Sequence, residues 1–240
     1  MIYLYLGRRK LGKTTLALSM ARKCPYRVML DPRGLIHSGA PRVSDVDGVA
    51  SAFDAMSNDD EHDETRRVRE VLVTPEHDVQ LVFDYTSREV KQWSKDWHDP
   101  EHRLMYVVDE ARFFDLLDSP AFEYVMRAAP PELIHIAITA HRPVDIPTDV
   151  RAISDHWMLF RCTQEHDLKV IEERCGWAVR QEVSRLNPHE FVHWDDAIGT
   201  YRVYRDPAAW YVPLSVRSMP DPPDLLPIGG SKPVDTETLF

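Results

Sequence analysis

Two groups of residues in this chain have the types and spacing that chemistry requires. The first is Gly7-Arg8-Arg9-Lys10-Leu11-Gly12-Lys13-Thr14, followed by Thr15, which fits the spacing GxxxxGK[ST]. It leaves an apolar run, Ile2 to Leu6, and opens a stretch of helix formers at Lys13. Strand before and helix after is the context in which this spacing binds phosphate. The glycines let the backbone curl so that several N–H groups face one anion, and the helix N-terminus adds its positive end. Lys13 then reaches the β- and γ-phosphates of a nucleoside triphosphate, and the Thr14 hydroxyl takes one Mg²⁺ position. Arg8, Arg9 and Lys10 lie inside the loop, either as further phosphate contacts or as solvated charges.

The second group is Asp109-Glu110, at the end of the apolar run Leu104 to Val108. Beside a phosphate loop, the first acid of such a pair holds Mg²⁺ through water, and the second activates the attacking water. A kinase for small acceptors needs no base at that place, whereas hydrolysis does. On its own the pair is equally a helix N-cap after a strand; the loop upstream favours the catalytic reading. Residues 1–40 hold eight basic groups and one acid, Asp31, so the loop sits in a positive local field.

The elements that must position these groups follow from periodicity. Strands are expected at Ile2–Leu6, Arg27–Asp31, Arg69–Val73, Leu104–Val108, Leu133–Thr139 and Trp157–Phe160. Helices are expected at 13–23, 45–56, 79–97 (with a break near Asp84-Tyr85), 120–129, 147–153 and 165–175. Strands alternating with helices mean an open α/β fold with a mainly parallel sheet flanked by helices. Residues 1–186 form the expected core. Phe191–Trp194 and Tyr201–Tyr204 flank Asp195–Gly199 as a β-hairpin within an extension at 187–212. Residues 213–240 hold six of the 18 prolines and read as an extended or disordered tail. The six tryptophans read as core or interface packing, and His189 and His193 as surface or hairpin residues. Arg180, Arg185 and Arg202 read as scattered surface charges or as the lining of a DNA channel.

Composition bounds the class. The chain has 240 residues, 43% hydrophobic and 28% charged, enough for a sizeable core. Its formal net charge of −10 disfavours a mainly electrostatic nucleic-acid binder, though not a local basic patch. Three cysteines with no CxxC exclude a disulfide framework and suggest a reducing compartment. No run is long and apolar enough for a membrane span, so a soluble protein is expected.

Further residues carry a family resemblance. Leu133-Ile-His-Ile-Ala-Ile-Thr-Ala-His141-Arg142-Pro143 resembles the strand and polar tip of the FtsK–HerA superfamily of DNA-pumping ATPases, whose strand ends in Gln-Arg-Pro. Arg127 occupies the place of that family's basic helix end before this strand. Asp31-Pro-Arg-Gly34 resembles the Asp-Pro step of its viral members, and Asp155 to Arg161 with Asp167 and Ile171 its closing strand and helix. The likeness spans about residues 1–175. It is greatest to genome-packaging ATPases of membrane-containing icosahedral viruses, with the Zot-like assembly proteins of filamentous phages more distant. Two departures stand out: His141 replaces the glutamine, and Pro130-Pro-Glu132 is inserted before the strand.

The resemblance implies a RecA-like ATPase that moves double-stranded DNA into a capsid. ATP and Mg²⁺ are the implied cofactors. A homo-oligomer, a ring of six, is the implied assembly, with capsid or membrane-vertex proteins as partners in the host cytoplasm or virion. Lys13 and Glu110 are then catalytic, Thr14 and Asp109 hold the metal, and His141 reports the γ-phosphate. Arg127 or Arg142 reaches a neighbouring subunit's nucleotide. Two rival readings are a small-molecule or nucleoside kinase, with Arg66-Arg67-Val-Arg69 as part of a lid, and a Zot-like virion assembly or export ATPase.

Overall fold

The computed structural model describes residues 1–58 and 68–205. The expected tail, and Arg66 and Arg67 of the Arg66–Arg69 stretch, lie outside these residues. The strands are β1 (Ile2–Leu6), β2 (Tyr26–Leu30), β3 (Arg42–Val43), β4 (Glu70–Val73), β5 (Leu104–Val108), β6 (Ile134–Ala140), β7 (His156–Phe160), β8 (Phe191–Asp195) and β9 (Thr200–Tyr204). They form one sheet in the order β3-β4-β2-β5-β6-β1-β7-β8-β9. Neighbours from β3 to β7 pair in parallel, and β8 and β9 continue the sheet antiparallel. The expected hairpin is therefore an edge of the main sheet.

The central strands β1, β5 and β6 are buried at every residue, as parallel strands covered on both faces should be. The helices are α1 (Lys13–Ala21), α2 (Val46–Ser57), α3 (Val79–Asp96), α4 (Pro120–Ala128), α5 (Thr148–Ala152), α6 (Glu165–Cys175) and α7 (Trp177–Arg185). On one face, α1 lays Leu16, Ala17 and Ala21 over Tyr5, Met105, Val107 and Ala137. On the other, Phe53, Phe83, Trp93, Phe122, Val150, Ile171 and Val183 of the remaining helices pack on Leu4, Leu6, Val28, Tyr106, Ile136 and Leu159.

Several expectations need amendment. The helix at 79–96 is continuous, because Val82, Phe83, Val90 and Trp93 fall on one buried face across Asp84-Tyr85. Gly176 ends α6 with φ 86°, but a second helix, α7, starts at once. Its first residue, Trp177, is 64% exposed and is not core. Arg180 of α7 is tied to Glu165 and Glu172 of α6. Among the described residues no helix is long and apolar enough to cross a membrane.

Candidate active site

The carboxyl ends of β1, β2, β5, β6 and β7 converge on a cleft of about 800 Å³, the usual place for a ligand in an open α/β sheet. Its floor is the glycine loop. Gly7 has φ 142°, and a Cβ there would stand 2.7 Å from the Phe160 Cβ and 3.1 Å from its backbone. Gly12 has φ 95°. At both positions a side chain would be strained, and at Gly7 it would also clash. Lys13 is 7% exposed, and its Nζ donates to the Arg8 carbonyl at 2.8 Å. Burial draws its pKa down, while Glu110 and Asp109 hold it up.

The acid pair forms the next wall. Because β6 lies between β1 and β5, its tip meets both. The Thr139 hydroxyl donates to Asp109 Oδ1 at 2.7 Å and accepts from the Glu110 backbone N–H at 3.0 Å. The Thr14 hydroxyl donates to the same Asp109 oxygen at 2.8 Å. Burial raises the Asp109 pKa. The hydroxyls of Thr139 and Thr14 pull it back, and the charges of Glu110 and Asp31 push it up again.

Glu110 has left-handed backbone, φ 54° and ψ 56°, which costs a non-glycine residue about 1–3 kcal/mol. Its carboxylate lies 2.7 Å from His141 Nε2, 3.4 Å from Arg33 Nη1 and 3.7 Å from Arg112 Nε. The Glu110 oxygen that faces His141 and Arg112 is Oε2, and it is buried. Arg9 Nε approaches the same His141 nitrogen at 3.1 Å. One ring nitrogen cannot serve both: carrying a proton it donates to Glu110, and bare it accepts from Arg9. Burial lowers the His141 pKa against the pull of Glu110, with Lys13, Arg9 and Arg112 adding to the lowering.

These positions fit a magnesium nucleotide. The curled loop and Lys13 suit the phosphates, Thr14 and Asp109 suit the metal, and the Glu110 carboxylate at the cleft wall suits a water. Arg9, Lys10, Leu11, Gly12, Lys13, Thr14, Thr15, Asp109, Glu110 and His141 all line the cleft. Gly7 shapes the loop from behind. Arg8 lies outside the cleft and lines a neighbouring cavity with Arg142. Arg142 Nε donates to both oxygens of Asp167, at 3.2 and 3.1 Å. Arg127 is not brought to the cleft. It sits exposed in the last turn of α4, with Nε 3.1 Å from Glu123 and Nη2 3.7 Å from Asp149.

Four contributors escaped the sequence reading of the site. Thr139 bridges the acids. Asp31 is fully buried and accepts from the backbone N–H of Arg33 at 3.1 Å and of Ile36 at 2.6 Å, which bends the loop after β2 into the cleft. Arg33 reaches Glu110 from that loop. His189, exposed as expected, also stands over the glycine loop, its Nδ1 3.2 Å from where a Gly12 Cβ would be. Leu18, Leu35, Ile36, Phe160 and Phe191 give the cleft an apolar side suited to a nucleotide base.

The glycine loop after β1 and the placing of β6 between β1 and the acid-bearing β5 define a P-loop NTPase fold. Among solved structures, the genome packaging NTPase B204 of Sulfolobus turreted icosahedral virus 2, in complex with ATP-gammaS, is similar. It is 16% identical with a TM-score of 0.64, over 85% of this chain and 95% of that one. The DNA-packaging ATPase B204 of Sulfolobus turreted icosahedral virus is 17% identical, with a TM-score of 0.62 over 85% and 96%. The N-terminal domain of zonular occludens toxin from Neisseria meningitidis is 13% identical, with a TM-score of 0.40 over 85% and 92%. No protein-family model matches the sequence, and no curated protein matches it. At these identities the likeness is one of fold, and the fold is the one expected from the sequence.

Proposed function

We propose that the chain hydrolyses ATP to move double-stranded DNA, packaging a viral genome into its capsid as a homo-oligomeric ring of six. The observation that carries the hydrolytic part is the continuous contact Thr14–Asp109–Thr139–Glu110. It fixes a metal-type acid and a water-type acid on opposite sides of one threonine, beside a phosphate loop. The roles follow. Lys13 and the loop N–H groups neutralise the β- and γ-phosphates. Thr14, and Asp109 through water, would hold Mg²⁺, which when bound supplies charge neutralisation on the phosphate oxygens. Glu110 orients and deprotonates the water, and His141 couples its position to the phosphate. Arg127, or in its place Arg142, serves a neighbouring subunit.

The DNA and packaging part is supported by the similarity of fold to the packaging NTPases and by the His141-Arg142-Pro143 strand tip. Capsid or membrane-vertex proteins are the further partners this reading names, with the host cytoplasm or virion as its setting. The deciding experiment is phosphate release from Mg-ATP with no acceptor present, with and without double-stranded DNA. Turnover that DNA stimulates supports the proposal. Turnover only with an added small acceptor would establish a kinase, and turnover indifferent to DNA would leave an assembly ATPase of the Zot kind.

A further inference from the structure

Beside the nucleotide cleft lies a second cavity of about 290 Å³. Its wall carries four guanidinium groups, from Arg8, Arg9, Arg112 and Arg142, together with His141, against one carboxylate, Asp167. Asp167 is buried and both its oxygens take the Arg142 Nε, so it offsets one of the four charges. Arg112 has only a 3.7 Å approach to Glu110, an acid that Arg33 also approaches. Arg9 hydrogen-bonds a histidine rather than an acid. The Arg8 guanidinium makes no hydrogen bond or ion pair among the described residues. Cys162 adds no negative charge, because burial pushes its thiol up to about 12. Guanidinium groups gathered with so little counter-charge repel one another, and a tetrahedral oxyanion matches their fork-shaped donors.

Two residues line both cavities: Arg9 and His141. Their 3.1 Å hydrogen bond is the partition between them. The same His141 nitrogen that accepts from Arg9 stands 2.7 Å from Glu110. When that nitrogen carries its proton toward Glu110, it no longer accepts from Arg9.

The geometry points to a second anion site, for inorganic phosphate, entered from the nucleotide cleft past the Arg9–His141 pair. The cleaved γ-phosphate leaves through it while ADP still fills the cleft. This rests on the proposed hydrolysis. The cavity is small for a nucleotide but holds an oxyanion with a few waters, each of which takes about 30 Å³. Its shared wall with the cleft favours the product phosphate over a phosphate of the DNA backbone.

The test uses the full chain saturated with Mg-AMPPCP, so that the cleft is filled, and titrates inorganic phosphate by calorimetry. One phosphate should bind per loaded chain. Thr163, on the cavity wall, is outside the hydrolytic machinery. Thr163→Glu, which adds a fixed carboxylate, should weaken phosphate by about tenfold, the loss of one charge-assisted contact. Thr163→Gln should not, and AMPPCP affinity should be unchanged in both. In steady state, added phosphate should lower kcat without raising the KM for ATP. Loaded wild type that binds AMPPCP but no phosphate, or inhibition by phosphate that is purely competitive with ATP, overturns the second site and leaves the hydrolase reading intact. Failure of AMPPCP itself to bind overturns both. Displacement of the phosphate by a DNA duplex would assign the cavity to the DNA backbone and overturn the exit route.

Discussion

The Thr139 hydroxyl donates to Asp109 Oδ1 at 2.7 Å, 30 residues away in sequence, while accepting from the backbone N–H of Glu110. One side chain thus holds both acids of the site. It also lowers the pKa of an aspartate that burial has raised. Thr139→Val keeps the shape and removes both bonds. Without the hydroxyl the Asp109 pKa rises further, so the acid limb of kcat/KM for ATP should move to higher pH. Hydrolysis at neutral pH should fall by about 10- to 100-fold, a transition-state cost of about 1.4–2.7 kcal/mol. Stability should fall by about 1–3 kcal/mol for the unsatisfied Glu110 N–H. A pH–rate profile and a denaturant melt measure the two effects. An unmoved acid limb would remove Thr139 from the site.

Glu110→Gln preserves the shape of the carboxylate and removes the base. ATP should bind with affinity within a few-fold of wild type, while turnover falls by about 10²–10⁴. Binding measured by a fluorescent nucleotide, beside single-turnover hydrolysis, separates these. Loss of affinity with normal turnover of bound ATP would show that Glu110 positions the nucleotide instead.

The phosphate loop and the acid pair were legible because each is a local pattern, glycines at fixed offsets and acids at the end of an apolar strand. Thr139 was not. In Ile134–Ala140 a threonine is an ordinary strand residue, and its role arises only because β6 is inserted between β1 and β5, a non-local choice of strand order. His189 was hidden for the same reason: the chain reaches the glycine loop only once β8 has paired with β7. Asp31 drew notice as part of a motif, but its burial and its two backbone contacts come from the turn after β2. Arg142 was legible as a charge at a strand tip, whereas its bond to Asp167 required the docking of α6. The alternation of strands and helices carried most of the fold. The start of α7 was missed because Gly176 stops one helix and Trp177, exposed, gives no amphipathic signal for the next.

Two histidines away from the cleft set a pH limit on stability. Burial lowers the pKa of His135 to about 4, helped by the N-terminus, Arg103 and His156. It lowers that of His193 to about 4 as well, with His156 next. Both folded values lie below the ordinary 6.5, so the unfolded chain binds more protons between pH 6.5 and 4. The contribution of these two rings should be level above pH 6.5, and stability should fall as the pH drops through that window. Thermal melts at pH 7.5 and 5.0 should show the lower Tm at 5.0, and His193→Gln should narrow the gap. An equal Tm at both would mean that these rings are protonated without cost.

Arg127 is the residue whose role depends most on assembly. The helix α4 starts after the acid pair and leads into the amino end of β6, so Arg127 in its last turn lies away from the cleft of its own subunit. Its ion pairs, to Glu123 and Asp149, are exposed, and exposed pairs are worth about 0–1 kcal/mol, little enough to be exchanged for a phosphate. As an arginine finger it would supply a further cation to a neighbour's cleft, worth about 10³–10⁵ in rate. As a helix-terminal charge favouring the dipole it would supply under about 1 kcal/mol of stability and nothing to the rate. Mixing separates the two. Arg127→Ala alone and Lys13→Ala alone should each be inactive, the latter because the phosphates lose their buried counter-ion. Mixed, some interfaces would join an intact Lys13 to an intact Arg127, and activity should return in part. Arg142 is held within its own subunit by Asp167, so Arg142→Ala should not be rescued by the same mixing. Full activity of Arg127→Ala in a confirmed oligomer would remove the finger from α4 and leave Arg142, freed from Asp167, as the remaining candidate.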